Sequence, residues 1–282
     1  MFELLSAYWP HILAVVSIAL GAVAAVHAAM TKREVRSALG WVGVILLSPL
    51  LGALIYAVAG VNRIRRKSLI SRRALHLDEL WRTLSHYGVS REQVEARFGS
   101  RWGGLKTLGD RVAKHALSSG NRLDMLTSGT ETYEAFCAAI DAAERSIILE
   151  TYIFDRDAAG LRVADRLIAA RRRGVAVRVL IDAVGARYSV PSILGYLADG
   201  GVTVAAFNGK VVAGLRLPYA NLRTHRKILV VDGAVAFLGG MNIRAAFEGE
   251  GAARDTHFRL TGPAVADIFA VAAEDWHFET SE

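Results

Sequence analysis

His225 and Lys227 stand two residues apart in the stretch from Asn221 to Asn242, NLRTHRKILVVDGAVAFLGGMN, with Asp232 completing the spacing H-x-K-x4-D. Gly239, Gly240, Met241 and Asn242 close the stretch. Strand side chains alternate between faces, so His225 and Lys227 project the same way and an imidazole shares one pocket wall with an ammonium. Such a pair suits a phosphate. The lysine offsets negative charge, an amide such as Asn242 donates a hydrogen bond, and the histidine attacks phosphorus or moves a proton. For an isolated H-x-K the plain alternative is a basic edge strand with a solvated histidine; the longer pattern shifts the balance toward chemistry.

A β-hairpin must carry these residues. The apolar run Ile228 to Val231 ends at Asp232-Gly233, a turn signal, and a second apolar run, Ala234 to Leu238, follows. Upstream, from Asn121, the pattern is α/β. Glu131 to Ala143 reads as a helix, Ser146 to Phe154 as a buried strand, Leu161 to Arg173 as a helix ended by Gly174, and Val175 to Ile181 as a strand. A helix from Ser192 to Asp199 and a strand from Val202 to Phe207 follow, and a loop through Pro218 leads to the hairpin. The crossovers favour parallel pairing and the hairpin is antiparallel, so the sheet is expected to be mixed, with helices on both faces. Glu150 and Asp182 fall at or near predicted strand ends, where site residues and structural hydrogen bonding are equally at home.

The H-x-K-x4-D signature, followed by a small-residue pair and Asn242, resembles the phospholipase D superfamily, and within it the bacterial cardiolipin synthases. The likeness extends over Asn221 to Lys227, Gly239 to Ile243, Glu150 to Gly160, Arg172 to Tyr188 and Arg254 to Val265. It implies a phospholipase D-like α/β sandwich and metal-free, two-step transfer at phosphorus. His225 matches the nucleophile that becomes a phosphohistidine, and Lys227 and Asn242 match the residues that hold phosphate oxygens. Asp255 matches an acid that accepts a hydrogen bond from the nucleophile's other ring nitrogen, which fixes the tautomer. Asp232 reads as ordering the turn. No cofactor is implied, and His86, His115, His257 and His277 show no paired metal-ligand spacing. The resembling family makes cardiolipin and glycerol from two phosphatidylglycerol molecules.

The first sixty residues read as a two-helix membrane anchor. Ile12 to Met30 and Ala38 to Val61 are almost continuously apolar, and each approaches the roughly 20 residues that cross a bilayer. A cleaved signal peptide is disfavoured because Met1 to Pro10 lacks a basic segment. Pro49 is expected to bend the second span, and His27 to serve helix packing or the interface. Arg63, Arg65, Arg66, Lys67, Arg72 and Arg73 follow it, which predicts a multi-pass protein of the cytoplasmic membrane with its catalytic domain inside. These residues also suit anionic headgroups. The expected organisation is thus an anchor over 1–62, a basic linker with short helices over 63–120, and a catalytic domain over 121–282. Within the linker, Asp78 to Leu84 and Val94 to Phe98 read as helical, with Ser90 and Gln93 spaced as a capping box. Ser100 to Gly104 reads as a loop.

The net charge of +7 and pI of 9.7 favour anionic partners. Nucleic acid is disfavoured because the basic cluster lies beside the membrane stretch and away from the motif. Cys137 is single, which excludes an internal disulfide. The superfamily carries two copies of the motif, one histidine as nucleophile and one as general acid, whereas one copy is found here. Two chains are therefore expected to share a cleft as a homodimer, or a second-half partner chain to supply the missing motif. A homodimeric phosphodiesterase acting on phospholipid or nucleic acid, and an inactive half, are the alternatives.

Overall fold

The computed structural model describes residues 2–32, 34–60, 84–113, 116–208 and 222–282. They fall into two compact units, one ending at Gly60 and one beginning at Leu84. The basic cluster from Arg63 to Arg73, His115 and most of the helix expected at Asp78 to Leu84 lie outside the described residues.

In the first unit, α1 runs Phe2–Thr31. Its segment Tyr8–Thr31, 24 residues with mean hydropathy 2.3, is long and apolar enough to cross a membrane. The expected second span is instead two shorter helices, α2 (Val35–Leu47) and α3 (Pro49–Ile55), with a π-turn over Tyr56–Gly60. The break falls at Ser48, whose backbone leaves the helical region at φ −145° and ψ 83°. Proline disfavours a helical residue before it, and Pro49 then opens α3 at its first turn, where no N–H is required. His27 packs helices: its Nδ1 is 2.8 Å from the Tyr56 hydroxyl. Lys32 Nζ donates to the Gly60 carbonyl at 2.5 Å.

The second unit opens with α4 (Arg91–Phe98), entered through the expected capping box of Ser90 and Gln93. The segment expected as a loop at Ser100 to Gly104 is the start of a helix, α5 (Ser100–Ala113). Its glycines argue against helix by propensity. Packing overrides this, because Gly103 lies so close to Glu95 that any Cβ there would strike the glutamate side chain.

Seven strands then form one sheet: β1 (Arg122–Leu126), β2 (Ser146–Thr151), β3 (Ala176–Asp182), β4 (Thr203–Phe207), β5 (Ile228–Val231), β6 (Val235–Gly239) and β7 (His257–Thr261). The order is β1-β7-β6-β5-β2-β3-β4. β2, β3 and β4 are parallel neighbours, while β2 meets β5, and β5 to β7 to β1 meet one another, antiparallel. The sheet is therefore mixed, as its alternation of crossovers and hairpin dictates.

Helices α6 (Gly129–Asp141), α7 (Ala158–Arg172) and α8 (Ile193–Asp199) supply the crossover layer. Ser128, Asp157 and Ser192 cap them, each accepting a backbone N–H from the first turn. Their apolar stripes bury against Ile147, Leu149, Val177, Val179, Leu229 and Val231, residues of one parity on neighbouring strands. Phe237 is fully buried there, edge-on to Phe136 at 5.0 Å. A last helix, α9 (Val265–Thr280), packs on β2, β4, β5 and β6. Arg171, Arg172 and Arg173 form an exposed helix end, where Arg171 donates to the Gly201 carbonyl at 3.1 Å and Arg173 to that of Ile140 at 2.8 Å.

Candidate active site

The hairpin is built from β5 and β6, in register from Ile228 opposite Leu238 to Val231 opposite Val235. Its turn needs left-handed backbone at Asp232 (φ 53°) and Gly233 (φ 65°), which aspartate tolerates and glycine adopts freely. Asp232 sits far along the hairpin from His225, with a different task. Its carboxylate accepts the backbone N–H groups of Glu144, Arg145 and Ser146 at 2.9, 2.8 and 2.7 Å, tying the turn to the start of β2. Burial opposes its charge, but the three N–H donors outweigh that and hold the carboxyl below its usual 3.8. Its stabilisation is complete above that ordinary value and is lost as pH falls through the lower folded one. Asp232→Asn is expected to cost about 1–2 kcal/mol of stability, read as a lower melting temperature at neutral pH, with the deficit closing in acid.

At the other end of the hairpin His225 is exposed and Lys227 is buried, 5 % exposed. Both meet Tyr152, just past β2. The Tyr152 and His225 rings lie 5.1 Å apart, and Lys227 Nζ lies 5.5 Å from the Tyr152 centroid. The Lys227 ammonium donates to the His225 carbonyl at 2.8 Å. Burial draws its pKa down to about 8, against the Asp255 and Glu150 charges that raise it.

Asn242 approaches the same strand end. Its Oδ1 accepts the Ile153 N–H at 3.1 Å, which turns its amide nitrogen away from that contact and toward other acceptors. Tyr133 fixes the segment, its hydroxyl donating to the Asn242 carbonyl at 2.6 Å and accepting the Arg244 N–H at 3.2 Å.

The glycine pair has a steric reason. A Cβ on Gly240 would run into both oxygens of the Asp255 carboxylate, and one on Gly239 would run into the Thr256 carbonyl and the His257 ring. Only glycines let β6 lie this close to the Asp255-Thr256-His257 segment. Asp255 accepts the Thr256 N–H at 2.7 Å. Among the described residues it makes no hydrogen bond to His225, so the structure brings it to Lys227 and Gly240 without forming the bond that the resemblance implies.

Sequence reasoning passed over Tyr152 and weighed His257 only as a metal ligand. Tyr152 follows a buried strand, a position from which an aromatic ring could have been suspected. His257 is 1 % exposed and edge-on to Phe136 at 5.4 Å, with neither ring nitrogen hydrogen-bonded. Burial holds its pKa down to about 4, so the ring is neutral at physiological pH. Among the described residues no cluster of histidine, cysteine and acidic side chains has a geometry that would hold a metal ion.

Residues 136–265, which contain the whole motif and its flanks, match the family described as "Cardiolipin synthase, PLD-like domain". The chain belongs to the phospholipase D superfamily. Residues 12–60 of this superfamily member match "Phospholipase D-nuclease N-terminal". It is 34 % identical over 275 residues to cardiolipin synthase A of Pseudomonas aeruginosa, covering 93 % of this chain and 54 % of that one. It is 32 % identical over 259 residues to the cardiolipin synthase of Alkalihalophilus pseudofirmus, covering 89 % and 50 %. The chain thus spans about half the length of the curated relatives it matches. Among solved structures it is similar to Nuc, a phospholipase D family member from Salmonella typhimurium, with TM-score 0.45 and 23 % identity over 56 % of this chain and 96 % of that one.

Proposed function

We propose that this chain is a membrane-bound phosphatidyltransferase of cardiolipin synthase type, forming cardiolipin and glycerol from two phosphatidylglycerol molecules. The observation that carries the reading is the convergence of His225, Lys227 and Asn242 at the end of β2, beside Tyr152 and Ile153. A ring nitrogen of His225 attacks phosphorus, the bond to glycerol breaks, and a proton from a general acid completes glycerol as it leaves. The hydroxyl of a second lipid then attacks, the P–N bond breaks, and the displaced proton passes to a base. Lys227 supplies positive charge that strengthens as the phosphorane charge develops, and Asn242 donates to a phosphate oxygen. Asp255 orients the His225 ring through a hydrogen bond that forms once substrate is bound.

His225 is exposed. That opening suits a second motif, from another copy or from a second-half partner, as the source of the general acid. A membrane anchor concentrates both lipid substrates in one plane, and the basic balance of the chain suits their anionic headgroups. The basic residues after Gly60 support a cytoplasmic-side orientation of the domain that follows them.

The test is incubation of the purified chain in detergent with phosphatidylglycerol, followed by mass spectrometry of the lipids. Cardiolipin formed by the chain and absent with His225→Ala supports transfer. Phosphatidic acid in its place moves the reading to hydrolysis, and neither product, even with a second-motif half added, overturns it.

A further inference from the structure

We propose that Glu150 and Asp275 are positioning residues, a carboxyl pair, the first buried and the second half-buried, that grips Thr224 and Arg226 from behind and so fixes the segment presenting His225 and Lys227. The inference rests on the phosphate-binding role proposed above for those two residues. Thr224 and Arg226 alternate in sequence with His225 and Lys227, so the same extended segment offers two sides. On the back side the Thr224 hydroxyl donates to Glu150 Oε1, and the Arg226 guanidinium pairs with Asp275 while lying 3.9 Å from Glu150 Oε1. Glu150 belongs to β2, opposite Ile228, and Asp275 to α9, so the pair bridges two elements across the segment. A third carboxylate steadies it from β3: Asp182 accepts the Thr224 N–H at 3.1 Å and lies 3.3 Å from the Arg223 guanidinium.

The pair is unbalanced. Two carboxyls face one guanidinium, and Glu150, 1 % exposed, leaves Oε2 without a hydrogen-bond partner. A bare carboxylate there is costly, and one proton restores neutrality with Arg226. Burial and then the Asp275 charge push Glu150 up to about 8, the Thr224 hydroxyl pulling the other way. Burial also raises Asp275, opposed by Arg226. Among the described residues, the other charges that act on the pair include Lys227 from the segment itself and Glu274 beside Asp275 on α9. β4 and β6 carry no ionisable residue. Below the Glu150 value the grip is closed. Above it two adjacent carboxylates repel, and the segment loosens.

The experiment uses the full chain in detergent, with nitrogen-labelled histidine rings, followed by NMR from about pH 6 to about pH 9.5. The His225 signal is assigned by its loss in His225→Ala. The expected result is an inflection of the His225 signal near the Glu150 pKa that disappears in Glu150→Gln, which keeps the Thr224 contact without a charge. Lys227 titrates in both proteins, so the difference between them isolates the pair. Inorganic phosphate is expected to bind both proteins equally at about pH 6.5 and the native chain about tenfold more weakly than Glu150→Gln one unit above the Glu150 pKa. Superimposable His225 profiles overturn the proposal. Phosphate that perturbs His225 in neither protein counts against the phosphate reading alone, the pH comparison still deciding the pair. Should Glu150→Gln fail to fold, Asp275→Asn removes the other charge and gives the same comparison.

Discussion

Replacing His225 by alanine is expected to abolish lipid product while leaving the fold intact. The loss should be at least about 10³-fold, because without the imidazole no covalent intermediate forms and positioning alone supplies the remainder. Stability should move by no more than about 0.5 kcal/mol, since the side chain is exposed and its packing is confined to the face of Tyr152. Product assays beside thermal melting of the two proteins check both halves. A variant that failed to fold would mark His225 as structural and remove the chemical role assigned to it.

Lys227→Met should separate function from stability in the opposite sense. Methionine fills about the same volume but brings no charge, so lipid transfer is expected to fall by about 10²–10³-fold or more as phosphate stabilisation is lost. The fold should become more stable. Lys227 is buried, its only described hydrogen bond goes to the His225 carbonyl, and burial lowers its pKa from 10.5 to about 8. The folded chain therefore binds that proton less tightly than the unfolded chain does. Below about pH 8 this is a constant cost, on the order of 1–3 kcal/mol at neutral pH, and stability recovers as pH rises from the folded value toward 10.5. Melting temperature against pH should rise in that window for the native chain and stay flat for Lys227→Met. A lower melting temperature in the variant at neutral pH would show that the ammonium stabilises the site. The same buried cation that costs stability is what a dianionic phosphorus centre would neutralise.

Much of this was legible in order along the chain. The hairpin followed from two apolar runs around Asp232-Gly233, the parallel half of the sheet from helices and strands in alternation, and the capped entry to α4 from Ser90 and Gln93, because these signals are local and each is carried by a few neighbouring residues. The side-by-side placement of His225 and Lys227 needed no more than strand periodicity. The bend expected at Pro49 became a full break at Ser48, and the start of α5 was misjudged. Local rules weigh several glycines against a helix, while the close seat of Gly103 against Glu95 depends on how helices pack.

What only tertiary structure decided is which distant residues stand around the motif. Asp275 reaches Arg226 because α9 lies over β5, and no spacing in the sequence links positions nearly fifty residues apart. Gly239 is required because the entry to β7 brings the Thr256 carbonyl and His257 against the end of β6, a contact set by strand order. The sequence by itself determined the groups available, an imidazole and an ammonium two residues apart at the entry to β5. The fold decided the charges and burial that tune it, because a carboxyl or ammonium acquires its energetics from everything packed around it, and packing is long-range.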